Sequence, residues 1–161
     1  MSIQIYCDGS CLNNGAEAAV GGWNFLIVEG ESLKDQEIIH SESGRFAPNK
    51  ETPNTNIRME LMAVIKALEY FEEPEVLTIH SDSAYVVNGI NQKWYIRWFK
   101  TGKNTLGKTP ANLDLWSKLV DLIRFHAKVE MVHVKGHAGH KFQELSDSFA
   151  RQKAQGSVWV G

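Results

Sequence analysis

A chain of 161 residues with a formal charge of −2 is long enough to bury one well-packed core and short for two. With 43% hydrophobic and 22% charged residues it is neither disordered nor fibrous, and its near-neutral balance argues against a protein that coats nucleic acid by net charge alone. No apolar run approaches the roughly 20 residues that span a bilayer, and no basic segment leads into an apolar run at the N-terminus. The expectation is one cytoplasmic, monomeric domain over residues 1–161. Cys7 and Cys11 lie four apart with no second pair to complete a zinc site, so a buried thiol or a neutral loop residue is expected of each.

Ile3-Gln4-Ile5-Tyr6-Cys7 alternates apolar and polar side chains, the period of a strand; Gly9 suggests a turn, so the first strand is expected to end at Asp8. Gly21–Val28 predicts a second strand and Gln36–Phe46 a weaker third, turning at Gly30, which together suggest an antiparallel meander. After a polar stretch from Pro48 to Asn56, Met59, Met62, Ala63, Ala67 and Leu68 recur at helical spacing and predict a helix over Ile57–Phe71, closed off by Pro74. Val76–Ser81 is a short fourth strand ending at Asp82. A strand, a helix and a strand imply a right-handed crossover and a parallel pair. Asp82-Ser83 suggests the cap of a short helix through Val87, followed by the aromatic and basic stretch Gln92–Lys100. Gly102, Gly107 and Pro110 mark a loop. Asn112 is expected to cap a helix with Leu115, Trp116, Leu119, Leu122 and Ile123 on one face; Val129–Val134 predicts a fifth strand, and a loop over 136–140 leads into a last helix from Phe142 to Ala154.

The chemistry starts from an echo. Ile5-Tyr6-Cys7-Asp8-Gly9-Ser10 and Ile79-His80-Ser81-Asp82-Ser83-Ala84 each finish a strand with an aspartate followed by small residues. If these strands are parallel neighbours, about 4.8 Å apart, the two carboxylates face one crevice, where open α/β sheets bind ligands. Taken alone, each aspartate is a turn former or a cap. Glu60 alone is an acid complementing a helix dipole, although it is flanked by Met59 and Leu61 on an apolar segment, and Asp147 alone is the i, i+4 partner of Arg151. Four acids without accompanying Cys or His suit hard divalent ions such as Mg²⁺ or Mn²⁺. His133, His137 and His140 are the residues a zinc reading would need, with His133 expected to point away from the loop. Between Ser83 and Leu113 there is no Asp or Glu, while Lys93, Arg97, Lys100, Lys103 and Lys108 interleave with Trp94, Tyr95, Trp98 and Phe99. Such a mixture offers charge to phosphates and rings to sugars or bases, against the plainer reading that Trp98 and Phe99 are core.

Four segments in order resemble the motifs of the type 1 ribonucleases H: Asp8-Gly9-Ser10-Cys11, Asn56-Ile57-Arg58-Met59-Glu60-Leu61, Asp82-Ser83-Ala84-Tyr85-Val86 and Val134-Lys135-Gly136-His137-Ala138-Gly139-His140. The resemblance implies an α/β ribonuclease H-like fold, a five-stranded mixed sheet flanked by helices, with the first three strands antiparallel and strands 1, 4 and 5 parallel. It implies Asp8, Glu60, Asp82 and Asp147 as ligands of two Mg²⁺ ions, with Mn²⁺ as a substitute, and His137 as the histidine that assists proton transfer or product release. The substrate implied is an RNA–DNA hybrid whose RNA strand is cut to 5′-phosphate and 3′-hydroxyl ends, largely irrespective of base sequence. Asn14 and Asn56 match positions that read RNA sugars, and Thr55 and Asn112 positions that hold a DNA phosphate. Trp94, with Lys100 and Lys103, falls in the protrusion that grips the DNA strand.

Gln143 stands where the family usually has asparagine, Ile57 where a polar residue is common, and the segment Gln92-Lys93-Trp94 reads as one residue longer than the pattern. These departures predict weaker affinity for the hybrid with activity retained. No N-terminal hybrid-binding module is expected, since the first strand begins almost at Met1. The competing readings are a recombinase-like core acting on DNA through a similar acidic cluster and a hybrid-binding module with impaired catalysis. The former lacks a separate DNA-binding region here, and the latter sits badly with four intact acids.

Overall fold

The computed structural model describes residues 2–30, 32, 34–135 and 140–156. Strands β1 (Ile3–Leu12), β2 (Val20–Glu29) and β3 (Glu37–Phe46) are followed by α1 (Asn56–Glu69), β4 (Val76–Ser81), α2 (Ala84–Asn91), α3 (Trp94–Thr101), α4 (Leu113–Phe125), β5 (Lys128–His133) and α5 (Lys141–Ala154). The sheet order is β3-β2-β1-β4-β5. β1–β2 and β2–β3 are antiparallel, whereas β1–β4 and β4–β5 are parallel, the mixed arrangement the motifs implied.

Burial on both faces explains why β1 and β2 are so apolar. Ile5, Cys7, Phe25 and Ile27 point to one side, where Leu61, Val64, Ile65 and Leu68 of α1 and Trp116 and Leu119 of α4 complete the main core. Tyr6, Leu26 and Val28 point to the other and meet Val134 and Phe142 under α5. The alternation follows from the period-2 geometry of a strand, and two covered faces make the central strands read as near-continuous hydrophobic runs.

Three local expectations are corrected. β1 does not stop at Asp8: its pairing with β2 runs on to Leu12–Val20. Gly9 is there for close approach, because a Cβ on it would overlap the Met59 and Glu60 backbone of α1. Helix α2 continues past Val87 to Asn91, since Gly89 lies against the Trp116 ring and is held by packing despite its low helix propensity. Asn112 stands at the N-cap position of α4 in the left-handed region, φ 62°, yet its side chain makes no cap; its Oδ1 accepts instead from Arg58 Nη1 at 3.1 Å. Of the two aromatics in question, Trp98 is core and Phe99 is 45% exposed. Lys93, with φ 56°, is the kink that separates α2 from α3. Among the described residues no helix is long and apolar enough to cross a membrane.

Candidate active site

The parallel ladder between β1 and β4 ends at Tyr6–His80, and the two aspartates stand two residues beyond it on each chain. Asp8 is therefore mid-strand with respect to β2 but at the point where β4 parts from β1, which is the crevice the echo pointed to. Ser83, the N-cap of α2, accepts from Val86 N at 3.3 Å and turns the chain directly after Asp82. Glu60 reaches the same place because Gly9 lets the first turn of α1 lie on the β1 backbone.

Asp8, Glu60 and Asp82 each present a carboxylate oxygen, all within 4.8 Å of one another. Asp8 is only 2% exposed; its Oδ1 accepts from Gly9 N at 2.9 Å while its Oδ2 is buried with no hydrogen-bond partner among the described residues. Burial, reinforced by the charges of Asp82 and Asp147 and opposed by a side-chain contact with Glu60, pushes the Asp8 carboxyl up to about 8. Burial, then the charge of Asp8, hold Glu60 well above the carboxylate range. Burial first and these two acids next raise the Cys7 thiol, whose Sγ lies 3.8 Å from Ala63 O, so Cys7 is the buried thiol expected of it. Crowded, desolvated carboxylates with an orphaned oxygen take either protons or a cation. Three oxygen donors fit a hard divalent ion, and the unpartnered Oδ2 is a lone pair such an ion would satisfy.

Asp147 is near enough for its charge and side chain to raise Asp8, but it stands at the margin of the group and pairs with Arg151 at 3.1 Å. The ion pair and the proximity to Asp8 hold together. His133 is the last residue of β5, a strand position as expected, and its Nε2 lies 3.2 Å from the Asp82 carbonyl oxygen, because Ser81–His133 is the last rung between β4 and β5. His137 lies outside the described residues. His140 lies against Tyr6, its ring tilted by 38° with centroids 5.0 Å apart.

Four of the residues expected to touch substrate, Asn14, Thr55, Asn56 and Asn112, are linked by hydrogen bonds around the start of α1. Asn14 Oδ1 accepts from Asn56 N at 2.6 Å, and Thr55 caps α1 by accepting from Arg58 N at 3.0 Å. Arg58 in turn binds Asn112 and grips Asp114 bidentately at 3.0 and 2.8 Å, which lowers the Asp114 carboxyl through its hydrogen bonds to Arg58. Arg58 is the residue missed in sequence: it stands within the second motif, yet its partners lie 54 and 56 residues on, a tertiary link no local pattern carries. Trp94 is half-buried and turned inward, its Nε1 donating to Gln92 Oε1 at 3.0 Å and its ring 5.9 Å from Tyr85. Lys100 and Lys103 are exposed.

A mixed sheet whose parallel pair opens on clustered carboxylates defines a candidate site for divalent-cation chemistry on an α/β scaffold. The comparisons with known proteins agree. The RNase H family model matches residues 1–155. A Ribonuclease H of Novosphingobium aromaticivorans is 45% identical over 153 residues, covering 94% of this chain and 96% of its own, and one of Chlorobaculum parvum is 40% identical over 151 residues, covering 93% of each. Among solved structures, LC9-RNase H1, described as a type 1 RNase H with the type 2 active-site motif, superposes with a TM-score of 0.77 at 30% identity, covering 97% of this chain and 73% of that one. LC11-RNase H1, solved in complex with RNA/DNA hybrid, shares the fold at a TM-score of 0.68 and 17% identity, covering 96% of this chain and 98% of its own. The chain belongs to the RNase H family.

Proposed function

We propose that the protein is a metal-dependent endoribonuclease that hydrolyses the RNA strand of an RNA–DNA hybrid, leaving 5′-phosphate and 3′-hydroxyl ends. The observation that carries this reading is the convergence of Asp8, Glu60 and Asp82 oxygens within 4.8 Å at the parting of β1 and β4, in a chain of this family. Asp8, Glu60, Asp82 and Asp147 would hold two Mg²⁺ ions, or Mn²⁺, which supply charge to activate a water and to stabilise the 3′ leaving oxygen.

The protein's own groups do the rest. Burial and mutual crowding raise the Asp8 and Glu60 carboxyls, which favours their protonated forms, so a cation bound there competes with protons. Asn14, whose Oδ1 accepts from the Asn56 N–H, and Asn56 would hydrogen-bond RNA sugars, including the 2′-hydroxyl that separates RNA from DNA. Thr55 and Asn112, joined through Arg58, would hold a phosphate of the DNA strand, and the acid-free segment that carries Trp94, Lys100 and Lys103 would follow that strand further on. His137 has its role in proton transfer from the motif resemblance alone.

The test is cleavage of a hybrid with labelled RNA, compared with RNA duplex and DNA duplex, in Mg²⁺ and in chelator. Cutting of RNA only in the hybrid, abolished by chelator, is the expected result. Cutting of DNA duplex points to the recombinase-like alternative, and tight binding without cleavage to a module that has lost its catalysis.

A further inference from the structure

The helix that carries Asp147 rests on the sheet through a largely apolar interface, within which Gln143 and Ser146 make buried polar contacts. Phe142, Ala150 and Ala154 supply the packing, and a Cβ on Gly22 would overlap the Ala150 carbonyl, so α5 rests directly on the β2 backbone. Within that interface Gln143, 4% exposed, donates from Nε2 to the Cys7 carbonyl at 2.8 Å. One turn on, the fully buried Ser146 donates to Asn24 Oδ1 at 2.7 Å. Asn24, also fully buried, passes the connection to the edge strand by donating to Glu42 O at 3.0 Å, Ser43 Oγ at 2.8 Å and Ser41 Oγ at 3.2 Å.

The placement of these contacts is specific. Gln143 and Ser146 lie four and one residues before Asp147 on α5. Cys7 precedes Asp8 on β1, and Asn24 is the residue opposite Asp8 in the β1–β2 register. The two contacts therefore fix both the rotation and the axial position of α5 at the level where Asp147 approaches Asp8. Stability alone does not call for them, because the Gln143 Oε1 is buried with no partner among the described residues, a cost that a methionine of similar length would avoid.

We propose that Gln143 is a positioning residue for the acidic site: with the Ser146–Asn24 contact, it sets the approach of Asp147 to Asp8 and so tunes how tightly the cluster takes a divalent cation. The proposal rests on the cation-site reading given above. It is tested by titrating Mn²⁺ and Mg²⁺ alone against the melting temperature of the native chain, Gln143→Met, Asp147→Asn and the double variant.

The expected result is that Gln143→Met folds cooperatively but needs about tenfold more cation to reach half the native shift, the usual effect of removing a group that orients a ligand. The double variant should match Asp147→Asn, since the effect runs through that carboxylate. On hybrid substrate kcat should fall with KM unchanged, and Gln143→Asn should recover part of the loss. An unmoved cation midpoint in Gln143→Met, or full additivity in the double variant, overturns the proposal while leaving the cation site standing. No cation response in the native chain overturns both. If Gln143→Met does not fold, Ser146→Ala, which removes one hydroxyl, must shift the midpoint in the same direction by a smaller factor, and an unchanged midpoint there counts against the proposal equally.

Discussion

Two buried polar residues at opposite ends of the sheet are treated in opposite ways. His126, at the end of α4, is 5% exposed and has both ring nitrogens used: Nδ1 accepts from Glu75 N at 3.1 Å and Nε2 donates to Leu68 O at 2.9 Å. It thereby joins the end of α1 to the start of β4 with nothing left unpaired. Asp8, equally buried, keeps one oxygen without a partner among the described residues and is crowded by other acids. A structural polar group is satisfied where it lies, whereas a functional one is held ready for something the fold does not supply. The difference separates a residue that stabilises the protein from one that costs it stability.

That contrast can be broken at either end. The largest effect is expected at the acidic end: Asp82→Asn should lower hybrid cleavage roughly 10³-fold, about 4 kcal/mol of transition-state stabilisation, with the circular dichroism spectrum unchanged. Retained activity would remove Asp82 from the site. At the other end, His126→Ala removes the partner of a part-buried Glu75 N–H and of a buried Leu68 carbonyl, for a loss of roughly 2–3 kcal/mol in a denaturant melt. Cleavage measured well below its midpoint should stay native, and a specific loss of kcat would show that the two ends are coupled.

A smaller effect involves His80, which stacks on Tyr6 at 4.3 Å and is pulled down to about 4, mainly by burial with a further contribution from His140. The folded state resists a proton that the unfolded chain accepts near 6.5, so this contribution to stability is present above about 6.5 and lost as pH falls toward 4. Replacing His80 with Phe should flatten the melting temperature across that window. An unchanged slope would place the acid sensitivity elsewhere.

How much of this was legible beforehand depends on whether a residue's partner is near in sequence. The limits of β4, Val76 and Ser81, are as the apolar run predicted, because flanking Pro74 and Asp82 bound it locally. The Asp8 and Asp82 echo was legible because parallel neighbours place equivalent positions side by side, and Glu60 because an acid on an apolar helix segment conflicts with its surroundings. Gly9 misled, since a glycine that admits a helix backbone and one that makes a turn look alike. Asn112 was placed rightly at the start of α4 but its role is set by Arg58, on another helix. Gln143 stood out only as a departure from the family pattern. Asn24, a lone polar residue inside Trp23–Val28, was the available sign of a buried network, but its partner Ser146 is 122 residues away.

The central claim is that Asp8 is held in a state that a proton or a cation must relieve, and the most direct measurement is the melting temperature of the native chain and Asp8→Asn, metal-free and with Mn²⁺, at pH 8. The native Asp8 carboxyl, ordinarily near 3.8 and here near 8, binds a proton in the folded state that the unfolded chain releases. Metal-free stability therefore falls as pH rises from about 4 through 8. Without metal, Asp8→Asn should be the more stable of the two by at least about 1 kcal/mol, or roughly 3 °C. Saturating Mn²⁺ should raise the native chain above the variant, reversing the order. A native chain that is already the more stable without metal, or an order that Mn²⁺ leaves unchanged, would contradict the account.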